Sequence, residues 1–289
     1  MINTDEKIIA DLNRLKRKKI NDNGDTLSTI TIEVTKHLAQ KYGSFSKKIE
    51  LIALSEKIIP LRYQKNMNTI TVDEQIILLN SSASLIGCGG LGGHILELLV
   101  RMGIGEIIIA DGDRFMESNL NRQLICTEKN LGESKVESAI KRAKRINSGI
   151  IIKANPYFIN SKNINEIIRK TDVAIDALDN ISSRFTLERA CRSLKIPLIH
   201  GAVEGFNGQV STIFPQDKGF ELIYGSLKEL KSKEGKRSVS VIAAIPALVA
   251  SFQVGEVVNI LLKKKNNLRN KLLYVNLEEY NVEILNLDD

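Results

Sequence analysis

The chain has 289 residues, of which 43% are hydrophobic and 26% charged, with 41 Lys and Arg against 34 Asp and Glu for a net charge of +7. Length and composition are those of an ordinary globular protein with one large domain plus something small, and they exclude a disordered or fibrous chain. No apolar run is expected to serve as a membrane span, which takes roughly 18 residues, and Met1 to Glu6 lacks the basic start and apolar centre of a signal peptide, so a cytoplasmic protein without membrane association is expected.

Residues 1–60 read as a small helical amino-terminal extension. Ile8, Ile9, Leu12 and Leu15 recur at helical spacing, and Arg14 to Lys19 suit the basic last turn of that helix. Asn21 to Asp25 is a break, after which Thr31 to Tyr42 and Ser46 to Ile58 read as two short helices separated by Gly43 and ending at Pro60. From residue 61 to 289 the pattern is one larger domain. Strands at Ala83 to Ile86, Glu106 to Asp111, Gly149 to Ala154, Val173 to Asp176 and Pro197 to His200 alternate with helices at Gly93 to Met102, Lys135 to Ile146, Ile164 to Arg169 and Arg184 to Ser193. Near-continuous Ile/Val strands alternating with amphipathic helices predict a Rossmann-like α/β domain, doubly wound around a mainly parallel sheet. A strand at Val210 to Phe214, a polar loop at Gln216 to Ser240, an apolar helix at Ala243 to Lys263 and a hairpin at Lys271 to Leu287 complete it as a strand/helix extension.

The chemistry concentrates in the first half of that domain. Gly87, Gly89 and Gly92 fit GxGxxG between a strand and a helix, where bare backbone and a helix amino terminus can receive phosphate. Alone this is weak, because a nicotinamide or flavin enzyme shows the same turn and an acid where Asp111 stands. Arg122 and Lys135 are two cations able to neutralise triphosphate oxygens, while Asn119 and Gln123 are uncharged donors suited to phosphate or ribose. Singly, each reads more simply as a solvated charge or polar group. Asp179 and Asn180 follow an apolar strand at its carboxyl end, where α/β ligands bind, and Asp179 can coordinate Mg²⁺ through oxygen. Their plainer reading is a turn or a cap for the next helix.

Three scattered cysteines, Cys88, Cys126 and Cys191, argue against a disulfide framework, and without a CxxC pair or ligand spacing among the histidines no zinc is expected. The basic clusters Arg14 to Lys19, Lys141 to Arg145 and Lys263 to Lys265 read first as solvated helix faces, with an acidic protein or nucleic acid as the sharper alternative.

In order and spacing, Gly87 to Gly92, Asp111, Ser118 to Gln123, Lys135 and Asp179-Asn180 resemble the MoeB/ThiF/HesA group of ubiquitin-activating-like adenylyltransferases. The likeness runs from about Arg62 to Phe214 and returns weakly in Ala243 to Leu262, with Gly201, Gly205 and Gly208-Gln209-Val210 resembling the end of the core. It implies ATP and Mg²⁺ as cofactors, with Gly90 bordering the nucleotide and Asp111 on the ribose. It also implies phosphate contacts from Asn119, Arg122 and Lys135, and Mg²⁺ on Asp179. Ser118, Gln123 and Asn180 are counted with the nucleotide site. Arg62 resembles an arginine that reaches the partner subunit's phosphates, which implies a homodimer. The implied reaction is attack of a carboxylate on the α-phosphate of ATP, giving an acyl-adenylate and pyrophosphate, with the carboxyl-terminal Gly-Gly of a small ubiquitin-like (ThiS/MoaD-type) sulfur carrier as substrate. Arg62, Arg122, Lys135 and Asp179 would carry the catalysis.

There are departures from that pattern. The paired CxxC motifs are missing, no cysteine follows Cys191 to accept a thioester on the loop after the Gln209-Val210 strand, and the extension before Arg62 is long. Adenylation of another carboxylate, such as a modified tRNA base or a ribosomal peptide, and a non-catalytic nucleotide-binding subunit stand as alternatives.

Overall fold

The computed structural model describes residues 3–20, 24, 26–228, 230 and 240–287. The chain divides into two compact units, one comprising residues 1–81, 100–106 and 144–151, the other residues 82–99, 107–143 and 152–289.

In the first unit, helix α1 (Thr4–Leu15) begins at a capping box in which Asn3 and Glu6 satisfy each other's backbone amides, and it buries Ile8 and Leu12. Helices α2 (Ile32–Lys41) and α3 (Ser46–Ser55) follow as expected. Ile8, Leu12, Ile30, Leu38, Ile49 and Ile58 form their common core.

The extension is nevertheless not purely helical. Strands β1 (Arg17–Ile20), β2 (Thr26–Ile30) and β3 (Ile58–Pro60) form a three-stranded sheet in that order, antiparallel between the first two and parallel between the last. Helix α1 stops at Leu15, so Arg17, Lys18 and Lys19 are strand residues rather than a basic last turn. All four β1 residues are exposed, so no buried face leaves the alternation by which a strand is recognised. Of the expected break at 21–25, only Gly24 lies within the described residues. Helix α4 (Val72–Asn80) starts from a second capping box, Thr71 with Glu74, a local signal the sequence reading passed over.

The second unit is built on an eight-stranded sheet. It comprises β4 (Ser82–Ile86), β5 (Glu106–Ala110), β6 (Ile151–Asn155), β7 (Val173–Asp176), β8 (Leu198–Glu204), β9 (Asn207–Ile213), β10 (Lys271–Asn276) and β11 (Asn281–Asn286), ordered β11-β10-β9-β8-β7-β4-β5-β6. Strands β4, β7 and β8 run parallel, whereas β8 through β11 form an antiparallel extension. Helices α5 (Gly90–Met102), α6 (Lys135–Ile146), α7 (Ile164–Ile168) and α8 (Ile181–Leu194) lie between the strands in sequence, which matches the doubly wound expectation. The predicted loop at 216–240 holds a short helix, α9 (Phe220–Tyr224), while 229 and 231–239 lie outside the described residues.

Helix α10 (Ala244–Leu261) corrects one expectation, because it is long and apolar enough to cross a membrane by length and composition. It packs against β7, β8 and β9, and half of it is buried there. Its buried polar residues are bonded to the sheet and its connections. Gln253 donates to the Asp176 carbonyl at 2.9 Å, and Glu256 accepts from Thr212 and from the Leu268 amide.

Candidate active site

A cleft of about 860 Å³ opens in the second unit at the carboxyl ends of β4, β5 and β7, the edge at which α/β folds receive ligands. Gly87, Gly89, Gly90, Asp111, Arg122, Gln123, Lys135, Asp179 and Asn180 all line it. The glycines divide by task. Gly87 has φ +101°, and a side chain there would also strike the Ala177 carbonyl. At Gly92 an added Cβ would sit 2.7 Å from the Gly87 carbonyl carbon, so this residue does not line the cleft but lets α5 close on the turn. Gly89 and Gly90 meet only ordinary contacts and face the opening at the amino terminus of α5, where unpaired amides favour an anion.

Asp111 stands just past β5 and is held by two backbone amides, Cys88 N–H at 2.7 Å and Asp113 N–H at 2.8 Å. Burial raises its pKa, and those amides together with Lys135 work in the opposite direction. Each carboxylate oxygen keeps a lone pair for a further donor, as a ribose hydroxyl would provide. Lys135 opens α6 nearly buried and reaches Asp113 at 2.9 Å. Arg122 is tethered through one nitrogen to the Ser118 carbonyl at 3.1 Å and to Asn121 at 2.8 Å. Gln123 is 6% exposed, and its Oε1 has no partner although the residue lines the cleft. A buried carbonyl oxygen left bare is costly, and a donor on a ligand would relieve it.

Asp179 is exposed on the wall beyond β7, while Asn180 takes the plainer of its two readings as amino-terminal cap of α8, accepting from Ser183 N–H at 2.9 Å. Besides Gly92, three expected residues are not brought to the cleft. Ser118 is exposed elsewhere. Asn119 is 5% exposed and accepts from the Met116 amide at 3.1 Å, which makes it a brace for the 117–119 turn. Arg62 lies in the first unit, where its guanidinium stands 3.3 Å from Glu50 and also bonds Asn147. That is the setting of a buried ion pair, and a phosphate contact would require both bonds to break.

Two groups in the cleft escaped the sequence reading. Tyr157 and Phe158, 67% and 66% exposed, stand on the loop after β6. Phe158 lies against Gly112, where a Cβ would be 2.7 Å from its ring. Aromatic pairs this exposed on a tied loop are a usable signal for a flat ligand. Arg184, Gln209 and Tyr224 also line the cleft, and they join Asp176 and His200, both fully buried, in one hydrogen-bonded cluster. Burial lowers the His200 pKa and raises that of Tyr224 to about 12, so both are neutral. The three cysteines are buried and free, and burial pushes the Cys88 thiol upward, which makes it a poor nucleophile.

A Rossmann-like sheet whose glycine turn shares one cleft with two cations and an exposed carboxylate goes with an ATP-dependent adenylyltransferase rather than a hydride-transfer enzyme. The chain belongs to the ThiF family, whose profile matches residues 63–289. It is 29% identical over 215 residues to the SAMP-activating enzyme E1 of Haloferax volcanii, covering 74% of this chain and 80% of that one. With the sulfur carrier protein adenylyltransferase of Thermus thermophilus it shares 32% over 209 residues, covering 70% and 77%. It spans 45% of the adenylyltransferase and sulfurtransferase MOCS3 of Drosophila persimilis at 31% identity. Among solved structures, E. coli MccB with ATP superposes with a TM-score of 0.67 at 20% identity, covering 78% of this chain and 70% of that one.

Proposed function

We propose that this chain uses ATP to adenylate the carboxyl-terminal glycine of a small ubiquitin-like sulfur-carrier protein, acting as a cytoplasmic homodimer with Mg²⁺. A carboxylate oxygen attacks the α-phosphorus, the bond to the bridging oxygen of the β-phosphate breaks, and pyrophosphate leaves. The attacking carboxylate is already ionised at neutral pH, so no general base is required. Two anions must meet, and alignment with charge neutralisation does most of the work.

The observation that carries the reading is the convergence of Arg122, Lys135, Gln123, the Gly89-Gly90 turn and Asp179 on one cleft. Arg122 and Lys135 would receive phosphate oxygens, and the free Gln123 Oε1 suits a hydroxyl or amino donor. Tyr157 and Phe158, next to the ribose-distance Asp111, suit the base. Among the described residues no cluster of three or more His, Cys, Asp or Glu could hold a metal. Mg²⁺ fits regardless, because with nucleotides it takes one or two carboxylates and completes its shell from phosphates and water. Asp179 would hold it, and it would supply neutralisation of phosphate charge. The substrate class rests on the relatives named for sulfur-carrier and SAMP activation.

ATP–pyrophosphate exchange tests the proposal, with a Gly-Gly-ended carrier, the same carrier lacking its last two residues, and a short peptide with a free carboxyl terminus as separate additions. Exchange with the intact carrier alone supports it. Exchange driven by the peptide, or none with any addition despite ATP binding, overturns the carrier assignment.

A further inference from the structure

The polar cluster that reaches from the cleft wall into the core has a direction that its chemistry dictates. The Tyr224 hydroxyl has three neighbours, Gln209 Nε2 at 2.7 Å, Arg184 Nη1 at 3.0 Å and His200 Nε2 at 2.9 Å. Amide and guanidinium nitrogens only donate, so they occupy both lone pairs of the hydroxyl. Its proton then goes to His200 Nε2, and the His200 Nδ1–H points at Asp176 Oδ2, 2.7 Å away. Asp176 in turn accepts from the Leu178 amide through Oδ1 at 2.9 Å, and Arg184 Nη2 donates to the Leu178 carbonyl at 2.7 Å. The residue before Asp179 is thus clamped at its amide and at its carbonyl. The residue after it, Asn180, is locked as the cap of α8. Among the described residues, the Asp179 carboxylate itself has only a long bond from the Asn180 side-chain amide to Oδ1, at 3.3 Å, and its Oδ2 faces no such donor.

A solvent-exposed turn has no need of five interlocked polar residues, three of them nearly or fully buried, because such a cluster must overcome their desolvation. A carboxylate that must meet a cation in one geometry does need it, and metal ligands are ordinarily oriented by such outer partners. We propose that Arg184 and Tyr224 are positioning residues that aim the Asp179 carboxylate into the cleft for a divalent cation. This rests on the reading of Asp179 as the metal ligand given above.

The test is a Mg²⁺ titration of the full chain with a fluorescent ATP analogue, read as binding and not only as turnover. Arg184→Lys and Tyr224→Phe are compared with Asp179→Ala and with Leu187→Ala, a fully buried core change on the same helix. The Mg²⁺ midpoint should rise about tenfold or more in Arg184→Lys and Tyr224→Phe, the usual cost of losing an outer partner. Analogue affinity in EDTA should stay unchanged, and Leu187→Ala should lower the melting temperature without moving the midpoint. Should Arg184→Lys fail to fold, Tyr224→Phe decides alone, since it removes one oxygen and keeps the ring. Wild-type midpoints in the folded Arg184 and Tyr224 variants, with a shifted one in Asp179→Ala, overturn the inference and leave the metal assignment standing. A wild-type midpoint in Asp179→Ala overturns both.

Discussion

Alanine at Gly92 and alanine at Gly89 should separate what the glycine turn does for packing from what it does for ligand. Gly92 is the third residue of α5, where alanine would gain about 1 kcal/mol in helix propensity. The added Cβ, however, lies 2.7 Å from the Gly87 carbonyl carbon and closer still to its oxygen. Gly87 cannot yield, because its φ of +101° is held with its own Cα facing the Ala177 carbonyl. Overpacking costs about 1–3 kcal/mol, and a clash between two pinned backbones belongs at the upper end. The net loss of about 2 kcal/mol should lower the melting temperature by about 4–8 °C in a chain of this size. At Gly89 the Cβ would be 3.6 Å from Gln123 Nε2, an ordinary contact, so stability should hold to about 0.5 kcal/mol. That methyl faces the cleft, and losing one charge-assisted amide–phosphate bond of about 1.5–3 kcal/mol weakens ATP roughly ten- to hundredfold. Differential scanning fluorimetry and calorimetric titration read the two effects separately. Wild-type ATP affinity in Gly89→Ala would refute the phosphate cradle, and a wild-type melting temperature in Gly92→Ala would refute the packing argument.

Removing both rings in Tyr157→Ala/Phe158→Ala should weaken ATP by about 1–3 kcal/mol per stacked base while leaving inorganic tripolyphosphate affinity unchanged; equal loss for both ligands rules out base stacking. His200 binds a proton less readily folded than unfolded because burial depresses its pKa below 6.5, so its contribution to stability is present above 6.5 and disappears as the pH falls below it. Urea melts from pH 7.5 to 5 should therefore steepen below 6.5 in the wild type and flatten in His200→Gln; parallel curves would remove His200 as the cause. Mixed Arg62→Ala and Asp179→Ala subunits should recover up to about half the activity per heterodimer if a homodimer shares its arginine, since a symmetric interface builds two equivalent sites. No recovery despite subunit exchange leaves Arg62 as the Glu50 ion-pair partner.

What was legible in the chain was whatever a short window contains. Lys135 to Ile146 is a helix with the expected bounds because its apolar and charged residues keep one period through twelve positions. The glycine turn, Asp111, Lys135 and Asp179 share one cleft because each sits at the end of a strand or the start of a helix, and the fold sends those ends to one edge, while Arg122 joins them from the turn after residues 117–119. Strand β1 was missed because none of its residues is buried, and strand pairing through backbone alone leaves no mark on side-chain pattern. Arg62 shows the converse fault. A motif position supplied a role, but the side chain is claimed by Glu50, on the preceding helix, and by Asn147, 85 positions away, and neither pairing is marked by the residues next to Arg62.

The Asp176–His200–Tyr224 cluster is the sharpest case. Its members come from β7, α8, β8, β9 and α9, and each residue type is common enough that nothing marks it individually. Yet the residue it braces, Leu178, is the neighbour of Asp179, one of the two carboxylates that the motif spacing singles out. A ligand-facing residue must stand at a defined place on the fold, so its neighbours in sequence reveal it. The residues that hold its direction need only reach the same few cubic ångströms, and any strand or helix passing that point can supply them. Sequence spacing therefore carries the address of Asp179 and is silent on its aim, which is set by contacts between residues up to 40 positions apart, as between Arg184 and Tyr224.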